Sequence, residues 1–171
     1  MNFYDRIFKD ALLLKKKYCT NDPHMILKER GVRLIPFSKN TKLLGMYKII
    51  KRNRFVFYNP FIDKNMLKMV LAHELGHDLY HRKEAKKNDI PEFTLFDINT
   101  DMEYEANLFA ANLLLDENEI ISHANMGYTY IQIAKIMNVN INLLLFKLNE
   151  MKKKGLKLNH FDYKINIFEN I

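Results

Sequence analysis

Val70-Leu71-Ala72-His73-Glu74-Leu75-Gly76-His77 is an H-E-x-x-H motif set inside an apolar run from Met66 to Tyr80. On a helix, residues four apart are separated by ~40° of rotation and ~6 Å of rise, so both imidazoles can reach one ion from the same face. Glu74 falls ~100° further round the helix. That is too far to join the histidines as a ligand, but it suits a carboxylate that hydrogen-bonds a water on the metal. Met66, Met69, Val70, His77 and Tyr80 all project within about 60° of His73, so the histidine pair lies on a core-facing stripe. Two buried imidazoles need partners, and one metal ion satisfies both. The pattern therefore predicts half of a zinc site, with Glu74 as general base.

Composition sets the frame around this helix. A chain of 171 residues with 48% apolar residues is long enough for one compact domain and a small appendage. Residues 1–125 are expected to form the metal-binding domain, and residues 126–171 a helical subdomain and tail. Nowhere is there an uninterrupted apolar run of 18 residues, the length a membrane helix needs. Met1 to Lys17 carries Asp5 and Asp10 ahead of a short Leu12-Leu13-Leu14 run, which is not the form of a signal peptide. With Cys19 as the single cysteine, these features predict a cytoplasmic protein and no membrane partner. The net charge of +7 comes mostly from scattered lysines. Lys15-Lys16-Lys17 and Lys152-Lys153-Lys154 stand at predicted helix ends, where cations complement the dipole, rather than forming a nucleic-acid patch.

Upstream of the motif, Phe3, Ile7, Ala11, Leu14 and Tyr18 recur at spacings of three and four and predict an amphipathic helix. Pro23 can open a second, short helix that Gly31 would end. Val32 to Phe37, Leu43 to Ile50 and Arg54 to Tyr58 read as strands, the last two joined through Lys51-Arg52-Asn53 as a hairpin. The expected fold class is α+β: a small antiparallel sheet packed on helices, with a helical C-terminal appendage. The strand over 54–58 is the candidate edge for holding an extended peptide. The motif helix should be capped by Asp63 and run to about His81. Residues 82–99 are charged and contain Pro91, and read as a surface loop or lid.

A hydrolytic zinc site needs a third protein ligand. His81 shares the histidine face but lies ~12 Å along the axis from His73. The extended pattern with a third histidine would need Gly at position 80 and His at 83, where the chain has Tyr80 and Lys83. The next predicted helix contains Thr100-Asp101-Met102-Glu103-Tyr104-Glu105-Ala106-Asn107-Leu108-Phe109-Ala110-Ala111. Taking Met102, Ala106, Phe109 and Leu113 as its buried stripe puts Glu105 at the stripe's edge and Glu103 outside it. Thr100 and Glu103 also have the form of a capping box. Glu105 is therefore the expected third ligand and Glu103 the alternative, with Asp101 a candidate to orient a ligating histidine.

His73-Glu74-Leu75-Gly76-His77 followed by Glu103-Tyr104-Glu105-Ala106-Asn107-Leu108-Phe109-Ala110-Ala111-Asn112-Leu113-Leu114 resembles the ImmA/IrrE family of metallo-endopeptidases over roughly residues 30–120. Members often continue L-L-M-P where this chain has Leu114-Leu115-Asp116, a departure that touches no ligand. The resemblance implies a gluzincin-like core, Zn2+ bound by His73, His77 and Glu105, and Glu74 as catalytic base. It also implies a substrate: a helix-turn-helix transcriptional repressor, cut at a specific site to induce mobile-element or stress genes. The chain matches in length the short members from phages and conjugative elements.

In the C-terminal third, Asp116 to His123, Tyr130 to Met137 and Leu143 to Lys154 predict three helices, the last two at helix-turn-helix spacing about Asn138-Val139-Asn140. Leu143, Leu144, Leu145, Phe146 and Leu148 crowd the final helix, favouring packing over base readout and making nucleic acid an unfavoured partner. The alternatives to a protease are an antagonist that binds the repressor without cutting it and a DNA-binding regulator using these helices.

Overall fold

The computed structural model describes residues 3–88, 90–92 and 100–156, and divides into two compact units, Met1–Leu114 and Leu115–Ile171. In the first unit, α1 (Phe3–Tyr18) buries Ile7, Ala11 and Leu14, as its periodicity predicts. α2 (Pro23–Glu29) begins with Pro23 at its first turn and the Asp22 side chain accepting from the His24 N–H. It ends before Gly31, whose φ of +74° suits a residue without a Cβ.

Three strands follow: β1 (Arg33–Pro36), β2 (Gly45–Ile50) and β3 (Asn53–Tyr58). The predicted hairpin forms, with Ile50 opposite Asn53, so its loop is the two residues Lys51 and Arg52. Both have positive φ, +47° and +67°, the geometry whose twist matches that of paired strands. The sheet is mixed, not antiparallel throughout, because β1 pairs parallel to β3 on the side away from β2. The loop from β1 passes over one strand position, and β3 then fills the gap between β1 and β2. β3 is consequently central, and the expected free edge over 54–58 does not exist. The edges of the sheet are β1 and a fourth strand, β4 (Ile90–Glu92), antiparallel to β2. β4 lies in the stretch expected to be a loop; Pro91, opposite Met46, is tolerated because the strand is at the edge. Residues 93–99 of that predicted lid lie outside the described residues.

The motif helix is α3 (Lys64–Tyr80), with the Asp63 side chain accepting from the N–H groups of Asn65 and Met66, and His81 as the C-cap. Met69 to Asp78 are buried without a break, so α3 is the central helix of the unit. It packs on the sheet, on α2 and on α4 (Asp101–Leu114), and α4 packs also on α1.

The second unit contains α5 (Glu117–Asn125), α6 (Tyr130–Ile136) and α7 (Ile141–Lys153). α5, which the sequence placed with residues 1–125, stands in this compact unit. Asp116, Thr129 and Asn140 cap the three helices. Leu143, Leu144, Leu145, Phe146 and Leu148 are all buried, so α7 is the core helix of this unit. Lys147, also buried, donates to Glu117 at 2.7 Å and to Glu150 at 3.2 Å. Among the described residues, no single helix is long and apolar enough to cross a membrane. The tail beyond Leu156 lies outside the described residues.

Candidate metal centre

The separation of α3 from α4 determines the site. A Cβ added to Gly76 would come within 2.9 Å of Ala106 Cα, so the two helices meet backbone to backbone at this point. Glu103 lies one turn before Ala106 and Asn107 one residue after it, so both are carried on the face of α4 that meets the histidines.

His73, Glu74 and His77 are essentially inaccessible to solvent, at 0%, 0% and 1% exposure. The Nε2 atoms of His73 and His77 approach to 2.9 Å. Glu103 completes the cluster, with Oε2 3.0 Å from His73 Nε2 and Oε1 3.6 Å from His77 Nε2. These three residues offer ligand atoms that all lie within 4.8 Å of one another. Glu103 also keeps half of the predicted capping box, its N–H donating to Thr100 Oγ1, but its carboxylate points to the imidazoles.

Glu105 is elsewhere. Its Oε2 is 3.2 Å from His81 Nε2, and its Oε1 is 3.9 Å from an Arg6 nitrogen. Glu105, the expected third ligand, therefore stands apart from the two ligating histidines of the motif, and Glu103, the alternative, stands with them. α4 is buried against both α1 and α3, so its sequence has no single apolar stripe. The stripe through Met102, Ala106, Phe109 and Leu113 does reach α3, where Phe109 meets the Tyr80 ring at 6.0 Å and Ala106 meets Gly76, but Glu103 and Glu105 lie on opposite flanks of it and it does not choose between them. The residue behind His73 is Asn107, its Oδ1 lying 2.7 Å from His73 Nδ1. Asn107 was missed in the sequence, although a polar residue four positions after Glu103 on a helix buried all round was a usable signal.

The protonation pattern bears on whether a metal fits. With Asn107 presenting its amide oxygen, His73 must carry its proton on Nδ1, which leaves the Nε2 lone pair aimed into the cluster. Burial drives the His77 pKa down to about 4, so this ring is neutral at pH 7, and the contacts with Glu103 only partly offset that. Partial burial raises the Glu103 carboxyl, and contact with the two imidazoles in their protonated form lowers it by more, so the net direction is below the usual range. An ionised carboxylate and imidazole lone pairs converge on one point, and a divalent cation there satisfies all of them. His73, His77 and Glu103 therefore fit a divalent metal ion.

Glu74 faces the sheet from the same turn of α3. A Cβ on Gly45, the first residue of β2, would overlap Glu74 Oε1 and come within 2.7 Å of Val70 Cγ1. A glycine at that position lets the strand pass directly over the carboxylate.

Next to His77, Asp78 is fully buried and anchors α3 to its neighbours. It accepts from Tyr47 at 2.9 Å, Arg30 at 2.9 Å and Arg54 at 2.9 Å, and lies 3.3 Å from Arg82. Burial alone would raise its pKa, but the three guanidinium groups prevail and keep it ionised. Burial and the Asp78 charge together push the Tyr47 phenol up. Of the tyrosines flanking the site, Tyr80 donates to Asp10 of α1 at 3.0 Å.

Residues 27–149 match the Peptidase_M78 family model, described as the IrrE N-terminal-like domain. The chain is also 33% identical over 140 residues, covering 81% of its own length and 87% of the relative's, to an uncharacterized immunity region protein 2 of Bacillus phage phi105.

Proposed function

Because the chain belongs to the Peptidase_M78 (ImmA/IrrE-like) family of metallopeptidases, we propose that it is a zinc-dependent endopeptidase that cuts a helix-turn-helix transcriptional repressor at a specific site. The convergence of His73, His77 and Glu103 beside the buried carboxylate of Glu74 carries this reading. Zn2+, when bound, polarises the scissile carbonyl and acidifies the attacking water. Glu74 takes the proton from that water and passes it to the leaving amine. Burial keeps the His77 ring neutral at pH 7, and Glu103 is the partly exposed member of the cluster, its side chain 18% accessible. The phage relative's name refers to an immunity region, which supports a regulatory protein as substrate. α7 leaves only Asn142, Lys152 and Lys153 exposed, little to offer a DNA groove.

The test is co-expression with candidate helix-turn-helix repressors from the same genome, starting with the adjacent reading frame, followed by mass spectrometry of the repressor. Site-specific fragments are expected with the wild type and none with Glu74→Gln. Equal cleavage by Glu74→Gln would overturn the general-base role. Intact repressor released from DNA by the zinc-loaded protein would favour a non-cleaving antagonist.

A further inference from the structure

We infer that His81 and Glu105 form an outer chain that holds the imidazole of His77, so that Glu105 serves the metal centre through His81 and not as a ligand. The inference rests on the metallopeptidase reading above. His81 follows His77 by one turn, and the two Nδ1 atoms are 2.9 Å apart. On its far side, His81 Nε2 is 3.2 Å from Glu105 Oε2. His81 is 4% exposed, so its ring has little access to water as an alternative partner.

The two ends of this chain fix the direction of every hydrogen bond in it. Glu105, when ionised, only accepts, so His81 must carry its proton on Nε2 and donate it to the carboxylate. That leaves His81 Nδ1 as an acceptor. His77 must then carry its proton on Nδ1, which puts its lone pair on Nε2, the atom that faces His73 and Glu103. One carboxylate, read through one neutral imidazole, thus selects the metal-binding tautomer of His77 and fixes its ring plane. His73 receives the equivalent service directly from the Asn107 amide. Helix α4 supplies all three groups at alternate positions: Glu103 toward the ion, Asn107 behind one histidine, and Glu105 behind the other through His81.

The test is zinc affinity of the full chain, measured by competition with a chromophoric chelator, together with the visible spectrum of the Co2+-loaded protein. Urea unfolding of the metal-free protein supplies the structural control. His81→Ala and Glu105→Leu should each weaken zinc binding by about 10–100-fold and alter the cobalt spectrum. Glu105→Gln keeps an acceptor for His81 and should recover most of the affinity. The Glu105 side chain is 22% exposed, so Glu105→Leu keeps the test readable if His81→Ala fails to fold. Unchanged affinity and spectrum with only a lower urea midpoint would overturn the inference and leave a purely structural role. Loss of zinc in both Glu105 variants, with Glu103→Gln still binding, would overturn it in favour of Glu105 as ligand. Wild-type protein that binds no zinc would overturn the metallopeptidase reading itself.

Discussion

Replacing Gly76 by alanine opposes two effects of similar size, and the sign of the result reports on the geometry of the site. In an unconstrained helix interior, Gly→Ala stabilises by about 1 kcal/mol, since glycine loses the most backbone freedom on folding. Here the new Cβ would lie 2.9 Å from Ala106 Cα and 3.2 Å from its Cβ and carbonyl oxygen. Non-bonded carbons rest at about 3.5–4.0 Å, and the obstructing atoms are backbone, which no rotamer change can move. α3 and α4 must therefore part, and overpacking of this kind costs about 1–3 kcal/mol. The net expectation is a loss of about 1 kcal/mol. The separation also draws Glu103, one turn from Ala106, away from its 3.0 Å approach to His73, so zinc affinity should fall as well. Urea unfolding of the metal-free chain and chelator competition measure the two effects. A variant about 1 kcal/mol more stable than wild type, with zinc affinity intact, would refute the close approach and the placement of Glu103 that depends on it.

Other perturbations have equally definite outcomes. Asp78→Asn keeps the shape but leaves Arg30, Arg54 and Arg82 without their shared counter-charge; since these arginines are partly exposed, a loss of about 3 kcal/mol in urea unfolding is expected, and an unchanged midpoint would contradict the anchoring role. Acid should destabilise the metal-free protein: the His77 pKa is lowered to about 4, so below its ordinary value of 6.5 the unfolded chain binds a proton that the folded chain refuses. That contribution is intact above about pH 6.5 and lost as the pH falls toward 4, by roughly 3 kcal/mol at most. A urea midpoint that does not fall between pH 7.5 and 5 would contradict this. Arg52→Gly relieves a positive φ in the hairpin loop and should stabilise by about 0.5–1 kcal/mol, read from the same unfolding curve; a lower midpoint would contradict the assigned turn.

The H-E-x-x-H helix was legible in the sequence because its signals are local. Asp63 caps it, and the H-E-x-x-H spacing fixes the geometry of two histidines without reference to the rest of the chain. The α+β class and the three C-terminal helices were legible for the same reason. What failed depends on long-range pairing. Nothing local to Arg33–Pro36 says that it will lie parallel to β3, and a three-residue strand containing Pro91 has no periodicity to detect. The preference for Glu105 over Glu103 rested on the amphipathic argument, which does not discriminate on a helix with buried neighbours on more than one side. The stripe of α4 that mattered begins at Glu103 and continues through Ala106 and Asn107, and Gly76 on the opposing helix was the residue that marked it. Which carboxylate stands with the two histidines follows from helix packing, which periodicity alone does not encode.

The most direct measurement is the anomalous scattering of zinc in crystals of the zinc-loaded full chain. The account predicts one peak ~2.0–2.2 Å from His73 Nε2, His77 Nε2 and a Glu103 oxygen, with Glu105 still bound to His81. A peak ligated by Glu105, or no peak between the two histidines, would contradict it.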